Sequence, residues 1–157
     1  MRLFFASWPS AGVAESLARW AREAQRECAG RATREESIHL TLRFLGDVDA
    51  DAARAIARGV QIPRLSFKVE QARYWAHNRI VWVGPQECPA PLAALARDLG
   101  EKRVFAAHVT LVRNAHTPER LPAPPGLEWP VTDFVLVNSN LGPEGPGYEV
   151  LERYALQ

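Results

Sequence analysis

Two segments of the chain contain the same pattern, His-x-Thr-Leu, inside stretches that alternate apolar and polar residues. The first segment is residues 37–46, and the second lies within residues 104–112. Alternation with a period of two predicts β-strands, and each segment follows a predicted helix. The repetition indicates an internal duplication, which predicts two lobes related by a pseudo-twofold axis.

The remaining segments predict a mixed succession of helices and strands. An apolar run around Phe4 predicts a first strand. Helices are expected from Ser10 to Gly30, from Asp49 or Asp51 to Pro63, and over residues 89–99. Further strands are expected at 65–70 and 79–84, joined by a turn at 75–78, and at 133–141 and 148–156, joined by a turn at 142–147.

This order of elements predicts an α+β fold with largely antiparallel sheets. The proline-rich residues 118–130 are interpreted as an ordered loop, because too few residues follow them to fold alone. The whole chain, 1–157, is therefore expected to be one domain with two lobes.

Bulk composition argues against several classes of protein. The formal net charge is only +1, which gives no polyelectrolyte signal for DNA binding. No apolar run approaches the roughly 20 residues of a membrane span, and the first residues are too short a run for a signal peptide. We therefore expect a cytoplasmic protein without a membrane partner, in which Cys28 and Cys88 stay reduced.

Alternation places the polar residues of each motif on one face of its strand. His39 and Thr41 project together, and so do His108 and Thr110. If the two strands face each other across a groove, two imidazoles and two hydroxyls converge on one place.

These four groups suit in-line phosphoryl transfer. A neutral imidazole can take a proton from water, a protonated one can give a proton to the leaving oxygen, and a bell-shaped pH profile near neutrality follows. The threonine hydroxyls can donate to the phosphate oxygens, and no metal or cofactor is needed. Two alternatives stay open: structural histidines on a solvated face, and a metal site, for which no third ligand has an obvious spacing.

The paired motifs resemble the signature of the 2H phosphoesterase superfamily. Within it, the chain is similar to the RNA 2′,3′-cyclic phosphodiesterases, also called the 2′-5′ RNA ligase (LigT-like) family. The similarity extends over nearly the whole chain and includes residues 2–6, 39–46, 108–113 and 147–151. The chain is shorter than many members of the family, which bears on the extent of its RNA-binding surface.

The resemblance implies a bilobal α+β fold, with helices outside two sheets and both motifs lining a central cleft. It also implies hydrolysis of terminal 2′,3′-cyclic phosphates to 2′-phosphomonoesters, with His39 as proton donor and His108 as proton acceptor. The physical chemistry of the sequence does not by itself order the two histidines. Weak 2′-5′ ligation would be the reverse reaction.

The expected partners are RNA ends or nucleotide 2′,3′-cyclic phosphates, with tRNA fragments among them, and the expected state is a monomer. Rival hypotheses are another 2H activity, either a 3′-5′ RNA exonuclease or a hydrolase of a different cyclic nucleotide, and a nucleotide-binding module without turnover. Intact histidines in both motifs argue against the last, because binding alone needs no proton-transfer groups.

Several other residues are candidates for the site. Alternation puts Arg43 on the face of His39 but Arg113 on the face opposite His108, so Arg113 needs a strand end or a bulge to reach a phosphate. Phe44 and Tyr148 are candidates for stacking a nucleobase. Three further aromatic residues are weaker candidates for the same role: Tyr74, Trp75 and Trp82.

Overall fold

A computed structural model describes residues 1–142 and 145–157. The helices are α1 (Ala11–Cys28), α2 (Ala50–Arg58) and α3 (Ala90–Asp98), with a 3-10 turn at Glu35–Ser37. The strands are β1 (Arg2–Ser7), β2 (Arg31–Ala32), β3 (Leu40–Asp47), β4 (Leu65–Val69), β5 (Gln71–Trp75), β6 (Ile80–Gly84), β7 (Val109–Arg113), β8 (Leu127–Val131), β9 (Asp133–Gly142) and β10 (Gly145–Ala155). The centre of the turn predicted at 142–147 lies outside the described residues.

Two four-stranded sheets form the two lobes. Sheet 1 has the order β10-β9-β1-β3, and sheet 2 has the order β2-β7-β6-β5. Neighbouring strands in both sheets are antiparallel. The predicted α+β class with largely antiparallel sheets is therefore confirmed.

The pairing of β4 differs from the sequence-based expectation. This strand pairs with β8, in the proline-rich segment that was interpreted as a loop, and not with β6. Phe67 of β4 stacks on Trp129 of β8 at 5.2 Å between ring centroids, and Trp129 is fully buried. Pro130 is tolerated because β8 has only one partner strand, so the missing amide donor can face away from the ladder. The hairpin partner of β6 is instead β5, a strand that was not predicted from the sequence.

Helix α1 begins and ends through local backbone chemistry. The Ser10 hydroxyl accepts a hydrogen bond from the Val13 amide at 3.3 Å, which caps the first turn. The helix ends at Cys28, and the next residues, Ala29 and Gly30, adopt positive φ angles. In the described part of the chain, no helix is both long and apolar enough to cross a membrane.

One continuous apolar core underlies both sheets. Leu3 and Phe5 of sheet 1 belong to the same buried cluster as Val83 and Val109 of sheet 2. Complete burial of a side chain of this size contributes about 1.5–3 kcal/mol, so the shared core fixes the two lobes against each other. Residues of both His-x-Thr-Leu motifs line one cleft.

Candidate active site

Both motif strands contain a β-bulge at the leucine of His-x-Thr-Leu. The register of β3 against β1 passes from Thr41 to Arg43, so Leu42 is an extra residue without a partner of its own. The register of β7 against β6 leaves Leu111 extra in the same way, immediately after Thr110. The two motifs therefore have the same local backbone geometry, as the expected pseudo-twofold relation requires.

The bulges decide which arginine reaches the cleft. Each bulge shifts the alternation by one residue, so Arg113 lines the cleft together with His108 and Thr110. The same shift turns Arg43 away, and its Nη1 donates a hydrogen bond to the Leu99 carbonyl at 3.0 Å. The expectation that strict alternation keeps Arg43 beside His39 is wrong, and the bulge is the physical reason.

The cavity between the motif strands has a volume of about 130 Å³. Since one water needs about 10–15 Å³ of such volume, a phosphate and adjoining sugar atoms have room there. Three arginines and no carboxylate are among the described residues that line it, so the cavity is suited to an anion. The lining residues are Arg31, Ala32, Thr33, Arg34, Ser37, His39, Thr41, His108, Thr110, Arg113 and Tyr148.

Each histidine lies just before its strand and is held by a backbone carbonyl two residues earlier. Nδ1 of His39 is 2.8 Å from the Ser37 oxygen, and Nδ1 of His108 is 2.8 Å from the Ala106 oxygen. Because a carbonyl only accepts, the proton of each neutral ring is on Nδ1, which leaves Nε2 for proton exchange. Nε2 of His39 is 3.0 Å from the Thr41 hydroxyl.

The ring of His39 is enclosed by aromatic side chains of sheet 1 and its neighbours. Trp8 stacks on it at 4.8 Å between centroids, with an angle of 14° between the planes. Phe4 and Tyr148 contact it at 5.2 Å and 5.1 Å. His39 therefore has little access to water on these sides.

The ring of His108 has a different aromatic neighbourhood, supplied by sheet 2. Trp75 lies 4.7 Å from it and Trp82 lies 6.2 Å from it, both measured between centroids. Each histidine thus has its own aromatic neighbours, and Tyr148 is the one among them that lines the cavity.

Burial and positive neighbours disfavour the charged form of both imidazoles. Burial lowers the pKa of His39 to about 4, and the charges of Arg113 and His108 act in the same direction. Burial and then Arg113 also lower the pKa of His108. The Ser37 and Ala106 carbonyls oppose these shifts without reversing them. Both rings are therefore mostly neutral at pH 7 in the free protein, and the expected pH profile stays a prediction.

The segment between α1 and the first motif also lines the cavity, which was not predicted from the sequence. Arg31, Thr33 and Arg34 line the cavity from β2 and the residues after it. The Thr33 amide donates to the Leu111 carbonyl at 2.8 Å, and its hydroxyl donates to the Thr110 carbonyl at 3.0 Å. A strand of two residues leaves no periodicity, so the only available signal was the closely spaced pair of arginines.

The stacking candidates fall into different places. Tyr148 lines the cavity, whereas Phe44 is 53% exposed, outside the lining set, with the Arg2 guanidinium carbon 5.4 Å from its ring centroid. The Tyr74 hydroxyl donates to the Ala115 carbonyl at 3.3 Å. A stacking role for Tyr148 or Phe44 stays a prediction.

Metal-ligating residues are sparse in the described part of the chain. No group of three or more His, Cys, Asp or Glu side chains there is arranged to hold a metal ion. Cys28 is buried and Cys88 half-buried, and both are free thiols. The expectation of metal-independent chemistry stays a prediction for experiment.

Comparison with known proteins identifies the family. The model of the LigT-like phosphoesterases matches residues 8–82. The RNA 2′,3′-cyclic phosphodiesterase of Escherichia coli K12 is 33% identical over 99% of this chain and 96% of its own length. The enzyme of the same name from Thermus thermophilus is 31% identical over 100% of this chain and 91% of its own length.

Solved structures agree with this assignment. Apo E. coli LigT superposes with a TM-score of 0.89 at 34% identity, covering 99% of this chain and 96% of that one. The structure of E. coli LigT complexed with 3′-AMP superposes with a TM-score of 0.88 at 33% identity. The match covers 99% of this chain and 97% of that one. With full-length similarity in sequence and in structure, the chain belongs to the LigT-like phosphoesterase family.

Proposed function

We propose that this protein is an RNA 2′,3′-cyclic phosphodiesterase that forms 2′-phosphomonoesters. The observation that supports this most is that both His-x-Thr motifs line one arginine-rich cavity. The names of the full-length relatives support the same substrate class.

In the proposed reaction, water attacks phosphorus while the bond from phosphorus to the 3′ oxygen breaks. His108 takes the proton of the water through Nε2, and His39 gives its Nε2 proton to the departing 3′ oxygen. The product has a 2′-phosphate and a free 3′-hydroxyl, with His39 left neutral and His108 protonated. This order follows the family resemblance, and the reverse reaction would be 2′-5′ ligation.

The phosphate oxygens would be held by Thr41, Thr110 and Arg113. All three line the cavity, and hydroxyl and guanidinium donors stabilise charge on non-bridging oxygens. Arg43 has no part in this proposal, because its guanidinium is bound to the Leu99 carbonyl.

The acid needs a proton that the free protein does not hold at neutral pH. An anionic phosphate beside the rings raises their pKa values, since an opposite charge favours the imidazolium. We therefore infer that the imidazole takes up its proton from solution when the substrate binds.

The substrate would be an RNA end or a nucleotide 2′,3′-cyclic phosphate, with tRNA fragments among the RNA ends. Tyr148, which lines the cavity and contacts His39, offers a ring for a nucleobase. The 3′-AMP complex of E. coli LigT supports a nucleotide as the kind of ligand that this protein binds.

The proposal is tested with adenosine 2′,3′-cyclic phosphate and an RNA ending in a cyclic phosphate, both in EDTA. The product should be the 2′-phosphate, and His39→Ala or His108→Ala should lower kcat/KM by about 10²–10⁴-fold. His116→Ala is the matched control, because His116 is exposed and outside the cavity lining.

Three results would contradict the proposal. Tight nucleotide binding without turnover would indicate a binding module. Shortening of an RNA with an ordinary 3′-hydroxyl end would indicate an exonuclease. Inactivation by EDTA would contradict the metal-independent mechanism.

A further inference from the structure

Two arginines stand directly opposite each other where β2 pairs with β7. Arg31 is the cross-strand partner of Arg113, and both line the cavity. Like charges in this position destabilise a sheet. Within the described part of the chain, neither guanidinium has a hydrogen bond or an ion pair, and no carboxylate lines the cavity. The pair is therefore arranged for a negatively charged ligand.

The backbone fixes Arg31 in this position although β2 has only two residues. On one side of Arg31, the Thr33 amide and hydroxyl bind β7. On the other side, Gly30 has a φ of +76°, and a Cβ atom there would stand 2.4 Å from the Arg113 carbonyl oxygen. The Gly30 carbonyl also accepts a hydrogen bond from the Gln25 side chain at 2.9 Å. Arg31 is thus held against β7 from both sides.

The two arginines differ in their relation to the histidines. The charge of Arg113 lowers the pKa of both His39 and His108, so its guanidinium lies near the reacting groups. Arg113 lies on the motif strand β7 itself, whereas Arg31 lies on β2, the edge strand of sheet 2. Arg31 is therefore displaced from the motif strand by one strand spacing, about 4.8 Å.

A cyclic phosphate has one negative charge, and the proposed mechanism already gives it Arg113 and two threonine hydroxyls. Arg31 is left as a cation without a partner in that mechanism. In an RNA 3′ end, the nearest other anion is the phosphate on the 5′ oxygen of the same terminal nucleotide. A guanidinium on the edge strand beside the motif strand suits this second phosphate.

We propose that Arg31 binds the 5′-phosphate of the terminal nucleotide, so that the protein prefers RNA ends over nucleoside 2′,3′-cyclic phosphates. This rests on the proposed function for the site itself, but makes a separate claim about specificity. Arg31 acts in substrate selection and not in proton transfer.

Binding of product analogues tests the claim without requiring turnover. Adenosine 2′-monophosphate and adenosine 2′,5′-bisphosphate differ only by the 5′-phosphate, and their dissociation constants are measured by calorimetry. The wild type should bind the bisphosphate about ten-fold or more tightly, as a charge-assisted contact predicts. In Arg31→Ala this preference should fall to within about two-fold, and Arg31→Lys should keep part of it, since lysine retains the charge but not the fork.

Arg22→Ala is the matched control, because Arg22 is an exposed arginine of α1 outside the cavity lining. It should keep the wild-type preference. Circular dichroism checks that each variant is folded. The ratio of kcat/KM for adenosine 2′,3′-cyclic phosphate with and without a 5′-phosphate should follow the same order among the variants.

Equal affinity of the wild type for the two analogues would overturn the inference, and so would an Arg31→Ala variant that keeps the full preference. A preference that depends on Arg31 in a protein that does not hydrolyse cyclic phosphates would support the subsite and contradict only the proposed function.

Discussion

The two motif strands share a backbone design and differ in what surrounds it. In both, a carbonyl two residues earlier holds the histidine, and a bulged leucine follows the threonine. His39 is enclosed by the rings of Phe4, Trp8 and Tyr148, whereas the ring of His108 contacts Trp75 of sheet 2. Beyond the bulges, Phe44 on one strand corresponds to Arg113 on the other. A duplicated frame thus places the two imidazoles in different aromatic surroundings.

The largest expected effect separates the roles of the two histidines. A substrate with sulfur in place of the 3′ oxygen has a leaving group that needs little protonation, because a thiol pKa is about 8.5. His39→Ala should lose about 10²–10⁴-fold in kcat/KM on the oxygen substrate and regain most of it on the sulfur substrate. His108→Ala should stay slow on both, and rescue of His108→Ala alone would assign the roles in the opposite order.

The burial of His39 predicts a loss of stability in acid. The unfolded imidazole binds a proton near its ordinary pKa of 6.5, but the folded one only near 4. The stability is thus fully present above pH 6.5 and declines as the pH falls toward 4, by about 3 kcal/mol. Urea unfolding across this range measures it. His39→Gln should remove this dependence and His116→Gln should not, and an unchanged dependence in His39→Gln would contradict the burial argument.

The bulges predict opposite effects for the two arginines that follow the motifs. Arg113→Ala should lower kcat/KM by about 10–100-fold, because a charge-assisted contact to the phosphate is lost. Arg43→Ala should change kcat/KM by less than about three-fold but lower the free energy of unfolding by about 1 kcal/mol, since the bond to Leu99 is lost. A larger catalytic effect at Arg43 would mean that the bulge at Leu42 does not govern the site.

The smallest expected effect is on the pH profile. The kcat/KM profile reports the pKa values of the free protein, and both imidazole values lie below 6.5. Its maximum should therefore fall between about pH 4 and 6.5, whichever histidine is the acid. Initial rates at low substrate concentration measure this profile. The pH profile of kcat should be displaced toward higher pH, because a bound phosphate raises both pKa values. A kcat/KM maximum above pH 7 would contradict the neutral pair.

Much of the site was predictable from the sequence, because its main residues are spaced with the two-residue period of a β-strand. His39, Thr41, His108 and Thr110 all line one cavity. The strand face from which Arg43 or Arg113 projects was not predictable, because a bulge depends on the partner strand and leaves no local pattern in the sequence.

The fold was predictable to a similar depth. The helices and most strands were recognisable from apolar periodicity and from the residues at their ends. The pairing of β4 with β8 depends on contact between Phe67 and Trp129, which are 62 residues apart, and the two-residue β2 is too short for any period.

The close approach of Gly30 to β7 has a consequence for mutational tolerance. Even alanine at this position would place a methyl group against a backbone oxygen that cannot rotate away, in a conformation that strains any L side chain. The added atoms would push β2 off its neighbour and separate residues 31 and 113. In a library of single substitutions selected for turnover, position 30 should therefore be depleted much as the histidine positions are, although glycine has no reactive group.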